Sequence, residues 1–534
     1  MRPLAAVALA LMLVLAGCSV GFQQGGTPAD PTPEPTSTPA PTATQEPTDG
    51  SAGTTTPTDG TPTASPSPTA TPEPTMRTDI ADPPSDRLGW ENGYWYNETV
   101  PVNATDGLNQ SELDVVVARS MARVEHIRQL EFQETVPVTV INRSTYREQY
   151  TGGSANYTDS FRTFDNVKFE TLFLIGENQD SLAVQNTNRG SNVLGFYSPV
   201  DDEIVVVSES DQPQLRDELT LAHELTHALQ DQQFDLTRYD RPTREIYNAY
   251  NGLFEGDSHY IEQQYRTRCQ SAEWECVSVP SEGGQQGGGG DLHFGVYILN
   301  YFPYSDGPGF VAHHQNRGGW DRVNAMYDDP PASSEQVIEP QLYGEDAPTN
   351  VTLEDSNTGD WERVRPEPPR PSQARPAYAS FGQSGMVAMF AYTLYDSANR
   401  SRVVEPDEFL NLEGGQVNST DPLNYAIDYA SGWDGDRLHI YDTPGDDNET
   451  AYVWRSVWDS PAEAEEFAAG YRNLLSHWGG ERVGSQNHWA VTRGPFQDAF
   501  YIEVEGDTVT IVNAPTESDL GDVYAGYEPP SAGN

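Results

Sequence analysis

The stretch "LTLAHELTHALQDQQF", residues 219–234, decides how this chain is read. Leu219, Ala222, Leu225 and Leu229, with Leu215 ahead of them, recur at helical spacing and make one apolar stripe. The stripe predicts a helix over about 213–232 with one side against a core. His223 and His227 are four apart, so on that helix their imidazoles share a face, about 6 Å apart along the axis. Two ring nitrogens so placed can take one Zn²⁺, whose bonds to nitrogen run near 2.1 Å. Glu224 is one step further round and points aside from the pair, where it can take a proton from a metal-bound water. The order ligand, base, gap, gap, ligand is therefore what a water-activating centre needs. Five letters also recur by chance, so the surroundings must decide.

Upstream, "TVPVTVI" (135–141) is β-branched and strand-like, "FETLFLIGE" (169–177) reads as helix, and "VLGFYSPVDDEIVVVS" (193–208) reads as a hairpin turning at Pro199-Val200-Asp201-Asp202. Such a strand pair can supply a sheet edge that aligns an extended peptide. Earlier still, Ser111 caps a helical run that begins "ELDVVVARS". Downstream, a second long helix over 241–268 carries Glu255, 28 residues after His227. Returning antiparallel to the first helix, it can complete a His₂Glu set of His223, His227 and Glu255, with a fourth position left to water.

"AHELTHALQDQQFDL" followed by "LFEGDSHY" resembles the gluzincin branch of the zincin metallopeptidases, and more specifically a group of exported surface lipoproteins of the halophilic archaeal type. The resemblance covers roughly 88–345. It implies an α+β zincin-like fold, one Zn²⁺ on His223, His227 and Glu255, and Glu224 as general base in hydrolysis of a peptide or protein substrate. A catalytically inactive zincin scaffold, serving envelope structure or binding a partner or glycan, is the alternative. The chain departs from the family where a carboxylate four residues after the third ligand supports a histidine, because that position is His259. The nearest acids are Asp257 and Glu262, and Asp231 lies one turn past His227. Asp231, Asp257 and His259 are thus the candidates for outer support, and His259 is also a rival third ligand. An oxyanion donor is sought among Tyr297, Tyr304, His293, His313 and His314.

The chain has 534 residues, and its net charge of −51 comes from 81 Asp and Glu against 30 Lys and Arg; Lys168 is the only lysine. Such an excess excludes nucleic acid and anionic membrane surfaces as partners, since both need a basic face. It suits a protein kept dispersed in high salt. Residues 1–17 read as a signal peptide ending in Leu15-Ala16-Gly17-Cys18, which resembles a lipobox with Cys18 as the lipidated residue. Residues 18–86 are Pro/Thr/Ser-rich with almost no apolar side chains, and so form a disordered stalk. The expected setting is the outer face of the cell membrane, with a lipid anchor as the membrane contact. Cys269 and Cys276 are then a candidate disulfide, with two free thiols as the alternative. Nine N-x-[ST] sequons, from Asn97 to Asn448, fit a glycosylated surface protein.

The zincin-like domain is expected over 87–365. A proline-rich stretch separates it from a C-terminal α+β unit over 376–534, built of a helix from 382, the strands "DRLHIY" and "AYVWRSVW", a helix from Pro461, and a hairpin turning at Glu505-Gly506-Asp507. "GQSGM" (382–386) lacks the closing glycine of a serine nucleophile elbow, and the acidic turns at 434–436 and 445–449 match no EF-hand loop.

Overall fold

In the computed structural model the described residues are 83 and 85–530, except 104–107, 152–156, 209–214, 216, 278–291, 369–373, 397–400, 419–420 and 446–448. The signal peptide, Cys18 and nearly all of the stalk lie outside them. The chain is mixed α and β. A small hairpin, β1 (Trp90–Glu91) and β2 (Tyr94–Trp95), leads to α1 (Gln110–Arg128), β3 (Val138–Asn142), α2 (Arg143–Tyr150), α3 (Asp159–Thr171), α4 (Ser181–Asn192), β4 (Gly195–Ser198) and β5 (Glu203–Ser208). Then come α5 (Glu218–Phe234), α6 (Arg244–Gln270), α7 (Phe294–Ser305), α8 (Gly307–Met326) and α9 (Ser334–Ile338). The remainder holds β6 (Glu362–Arg363), α10 (Gly382–Ala391), α11 (Pro406–Phe409), β7 (Leu412–Glu413), β8 (Gln416–Val417), β9 (Trp433–Asp442), β10 (Thr450–Trp458), α12 (Pro461–His477), β11 (Gly480–Arg482), β12 (His488–Val491), β13 (Ala499–Glu505), β14 (Thr508–Ala514) and α13 (Glu517–Val523). Among the described residues no helix is long and apolar enough to cross a membrane.

The first sheet has the order β3–β5–β4, with β3 parallel to β5 and β4 antiparallel at the edge. Its hairpin turns where the sequence predicts, and Asp202 takes the positive φ (52°) that the turn requires. β4 and β5 pack on α5. Two readings need correction. Asn109, not Ser111, caps α1, because its side chain reaches the Glu112 N–H while Glu112 reaches back to the Asn109 N–H. The helix expected over 169–177 ends at Thr171: Phe173 sits at φ 52°, and Leu172, Phe173, Leu174 and Ile175 are buried in a turn. That run was apolar for burial, not for helical period.

The position of α6 is set by Gly256, next to Glu255. A Cβ there would stand 2.4 Å from the carbonyl oxygen of Gly307, so glycine lets α6 and α8 cross at backbone contact. The start of α5 is fixed from the other side. Asp217 accepts the N–H groups of Leu219 and Thr220, and buried Glu218 holds Arg119, Arg123 and the Tyr265 hydroxyl. The Glu218 N–H donates to Val277 O, just past the Cys269–Cys276 disulfide, which is closed.

The second sheet has seven strands in the order β11–β12–β13–β14–β10–β9–β6. β6 lies inside the stretch 87–365, yet pairs with β9, and Thr349 bonds to Asp434. The apolar core is also continuous, running from Phe164 and Leu253 through Phe381 and Met389 to Trp454 and Ile502. Among the described residues, this core takes in side chains from both sides of the proline-rich stretch.

Candidate metal centre

His223, Glu224 and His227 lie mid-way along α5 and are fully buried (0% exposed); Glu255 on α6 is 3% exposed. His223 Nε2 and His227 Nε2 are 3.1 Å apart, and Glu255 Oε2 lies 3.3 and 3.2 Å from them. Donors bonded to one ion at about 2.1 Å in tetrahedral array stand roughly 3.4 Å apart, so this triangle fits such an ion.

The outer nitrogen of His227 has an acceptor in place. The Gln230 amide NH₂ donates to Phe254 O at 3.0 Å, so its Oε1, 3.0 Å from His227 Nδ1, accepts the ring proton there. Ser258 Oγ adds a contact to Nδ1 at 3.0 Å. The Glu262 carboxylate lies 3.3 Å from His223 Nδ1, an ion-pair contact outside hydrogen-bond geometry. Both Nε2 atoms thus face each other and a carboxylate oxygen, a set that one shared cation, a proton or a metal ion, satisfies. Without a metal ion a proton takes that part. Burial works against a charged His223, yet hydrogen bonds to Glu255 and Glu262 overcome it and push its pKa up to about 10. Burial likewise opposes the charge on Glu255, but the facing His227 and His223 hold its pKa far below the usual carboxylate range. Glu262, also against burial, is held down at about 2 by His223 and His259.

Glu224 is not part of the triangle. Its carboxylate lies against the backbone of Gly195 in edge strand β4, where an added Cβ would come within 3.2 Å of Oε1. Glycine at 195 thus leaves room for the acid between helix and sheet.

Two expected supports are elsewhere. Asp231 accepts from the Tyr197 hydroxyl (2.8 Å) and the Leu236 N–H (2.7 Å), tying the hairpin to the end of α5. Asp257, two residues from Glu255, lies on the opposite side of α6, where it pairs with Arg128 Nε (2.9 Å) and accepts from the Tyr327 hydroxyl (2.8 Å). His259 does face the site. Its ring is 4.8 Å from that of His223, burial lowers its pKa to about 4, and its Nδ1 lies 3.8 Å from Glu262. It forms a second group with His223 and Glu262 that can hold a cation, whereas Glu255 is the residue brought to both Nε2 atoms. A third such group, Glu170, Glu177 and Asp498, has no histidine.

Of the oxyanion candidates, Tyr304 is at the site, its ring 5.2 Å from His259 and 6.5 Å from His223, at the end of a ladder with Tyr301 and Tyr297. His293 accepts the Val296 N–H and caps α7. His314 accepts from Arg322 and packs with Phe310, and His313 lies beside it. Gln230 and Ser258 were missed in the sequence. Gln230 lies three after His227 and Ser258 three after Glu255, the helical spacing that returns to the same face; Glu262, seven after Glu255, follows the same rule.

Residues 369–524 match a family described as a domain of unknown function (DUF8575). The match takes in α10 and the second sheet apart from β6, and none of the residues of the histidine cluster. No curated protein and no solved structure matches the chain.

Proposed function

We propose that the chain is an exported zinc-dependent peptidase of the zincin type, with His223, His227 and Glu255 holding one Zn²⁺. The observation that carries this reading is the convergence of His223 Nε2, His227 Nε2 and Glu255 Oε2 within 3.1–3.3 Å, with Gln230 bonded to the outer nitrogen of His227 and Glu262 beside that of His223. Zinc bound there supplies a water of lowered pKa and polarises a carbonyl oxygen. Glu224 accepts the water's proton at its carboxylate and returns it to the leaving amine. Edge strand β4, against which Glu224 lies, receives the extended substrate, and the Tyr304 hydroxyl is the donor for the developing oxyanion. On this reading a signal peptide, lipidation at Cys18 and the stalk hold the domain at the outer face of the membrane.

The full burial of His223, Glu224 and His227 favours a second reading, in which the same scaffold binds a partner or glycan at the cell surface without turnover. Zinc content and cleavage of a broad peptide library in high salt separate the two. The first reading expects near one zinc per chain in both wild type and Glu224→Gln, and a loss of cleavage on the order of 10²–10⁴-fold in the variant. Zinc without cleavage in the wild type supports the second reading. A wild type that takes up no zinc removes the peptidase.

A further inference from the structure

His223, His227 and Glu255 are all buried, and so is Glu224 beside them. A folded interior is packed too closely for a hydrated ion to pass, and stripping an ion of its water is costly unless protein groups replace that water. A buried metal centre therefore needs groups that touch both solvent and the centre. Two side chains next to the triangle do so: His259 is 20% exposed and Glu262 is 14% exposed. Both lie on α6, four and seven residues after Glu255, and so on its face.

Glu262 Oε2 lies 3.3 Å from His223 Nδ1 and 3.8 Å from His259 Nδ1. The three side chains each bring one ligand atom within 4.8 Å of the others, a looser triangle than the inner one. Arg266 pairs with the other Glu262 oxygen, which leaves Oε2 turned to the histidines. The two imidazoles of α5 differ at their outer nitrogens. His227 Nδ1 has Gln230 and Ser258, whereas His223 Nδ1 is fully buried without a hydrogen bond, as is His259 Nε2. A buried ring nitrogen left so is costly unless something visits it, and what stands before His223 Nδ1 is a carboxylate and a third histidine.

We infer that His259 and Glu262, with Nδ1 of His223, form an outer landing site that captures a divalent cation from solvent and passes it to the inner triangle. His223 presents one ring nitrogen to each group, so ligands exchange one at a time as the ion moves inward. His259 then governs how fast the centre fills, and Glu255 where the ion rests. The inference rests on the zinc reading of the triangle and adds how that buried centre is loaded; it holds with or without turnover of a peptide.

A site on the path, unlike a site at its end, affects arrival and departure equally and leaves their ratio, the dissociation constant, in place. The test is stopped-flow mixing of full-length, zinc-free protein with Zn²⁺, and of the loaded protein with a chromophoric chelator. His259→Phe keeps a ring against His223 and Tyr304. It is expected to slow uptake and release alike, by about tenfold or more, with zinc affinity within about threefold of wild type. His259→Leu carries the same expectation if the phenylalanine variant does not fold. Uptake at the wild-type rate in a folded variant overturns the inference. Slow uptake with unchanged release also overturns it, since the lost affinity would make His259 a ligand of the resting ion. A wild type that takes up no zinc is a different result, which removes the metal reading and the landing site with it.

Discussion

Under the seven-stranded sheet, Trp433, Trp454 and Trp458 are buried with Phe467 and Tyr471 of α12. The buried carboxylate there, Asp436, accepts from Ser380 Oγ, the Phe381 and Gly382 N–H groups and Trp454 Nε1. At the same depth around α5 and α6 lie His223, Glu224, His227 and Glu255, with Arg119 and Arg123 on Glu218 and Arg128 on Asp257. Removing polar groups from water is unfavourable, and a buried ion pair is at best near neutral against an apolar one. The sheet is therefore where burial supplies stability, and the helices are where that stability supports a charged cluster. The sheet's core reaches α6 at Leu253 and Phe254, and α6 carries Ile261 and Tyr265 into the separate core around α5, so a loss in the first should be felt in the second through α6.

The largest effect tests that link. Trp454→Ala removes a side chain that is 1% exposed and leaves Asp436 short of a donor; a cost of about 3–5 kcal/mol is expected. Calorimetry should show the whole protein melting earlier in one transition. Two separate transitions, with the histidine region unmoved, would break the comparison into two independent domains.

Metal removal tests the other side. With zinc at a hundred times its dissociation constant, binding to the folded state alone adds about 2.7 kcal/mol. Chelation should lower the midpoint accordingly in the wild type and leave His227→Ala, already low, unchanged. Equal response of both proteins to the chelator would separate stability from the triangle.

How much of this contrast the sequence carries depends on distance along the chain. His223, Glu224 and His227 lie within one and a half turns, and the apolar stripe beside them fixes their face, so the helical spacing alone places them. Glu255 follows because the next helix is long and returns. Asp231 and Asp257 qualify as supports in the sequence only by being acidic and near; what they do is set by Tyr197, Leu236, Arg128 and Tyr327, all of which arrive by tertiary packing. The strand β6 and the shared core were likewise hidden, since a two-residue strand has no period and a continuous core leaves no mark in local composition.

Glu262 and Asp257 make a matched pair for the next effect. Both are acids on α6 within seven residues of Glu255, but only Glu262 reaches a ligand imidazole. Glu262→Gln should weaken zinc roughly 10–100-fold, as loss of an outer partner generally does. Asp257→Asn should leave zinc affinity near wild type while lowering stability. Competition titration with a chromophoric chelator reads the first, and urea unfolding the second; equal zinc affinities in the two variants would remove Glu262 from the site.

The smallest effect lies where the two regions meet. Glu245, in the first turn of α6, is buried and accepts from the Ser334 N–H (2.6 Å) and hydroxyl (2.7 Å), while its backbone N–H donates to Ser380 O. Gly382 at the start of α10 packs on its carboxylate at a φ of 70°, where any side chain would collide. Burial raises its pKa to about 8 from an ordinary 4.5, only partly offset by the Ser334 bonds, and the nearby Asp436 charge adds to the rise. The sign follows: between pH 4.5 and 8 the folded chain holds a proton that the unfolded chain has lost, so this group's contribution is full below 4.5 and is lost as pH rises through 8. Stability is therefore expected to fall between pH 5 and 8. Glu245→Gln keeps the shape without the charge, so its stability should lose that part of the pH dependence and exceed wild type at pH 8. The comparison of interest is zinc affinity in the same series. If one core joins sheet and helices, weakening this contact at high pH lowers the melting midpoint with and without zinc by the same amount; a fall seen only in the zinc-free protein would mean that the metal holds α6 in place without help from the sheet.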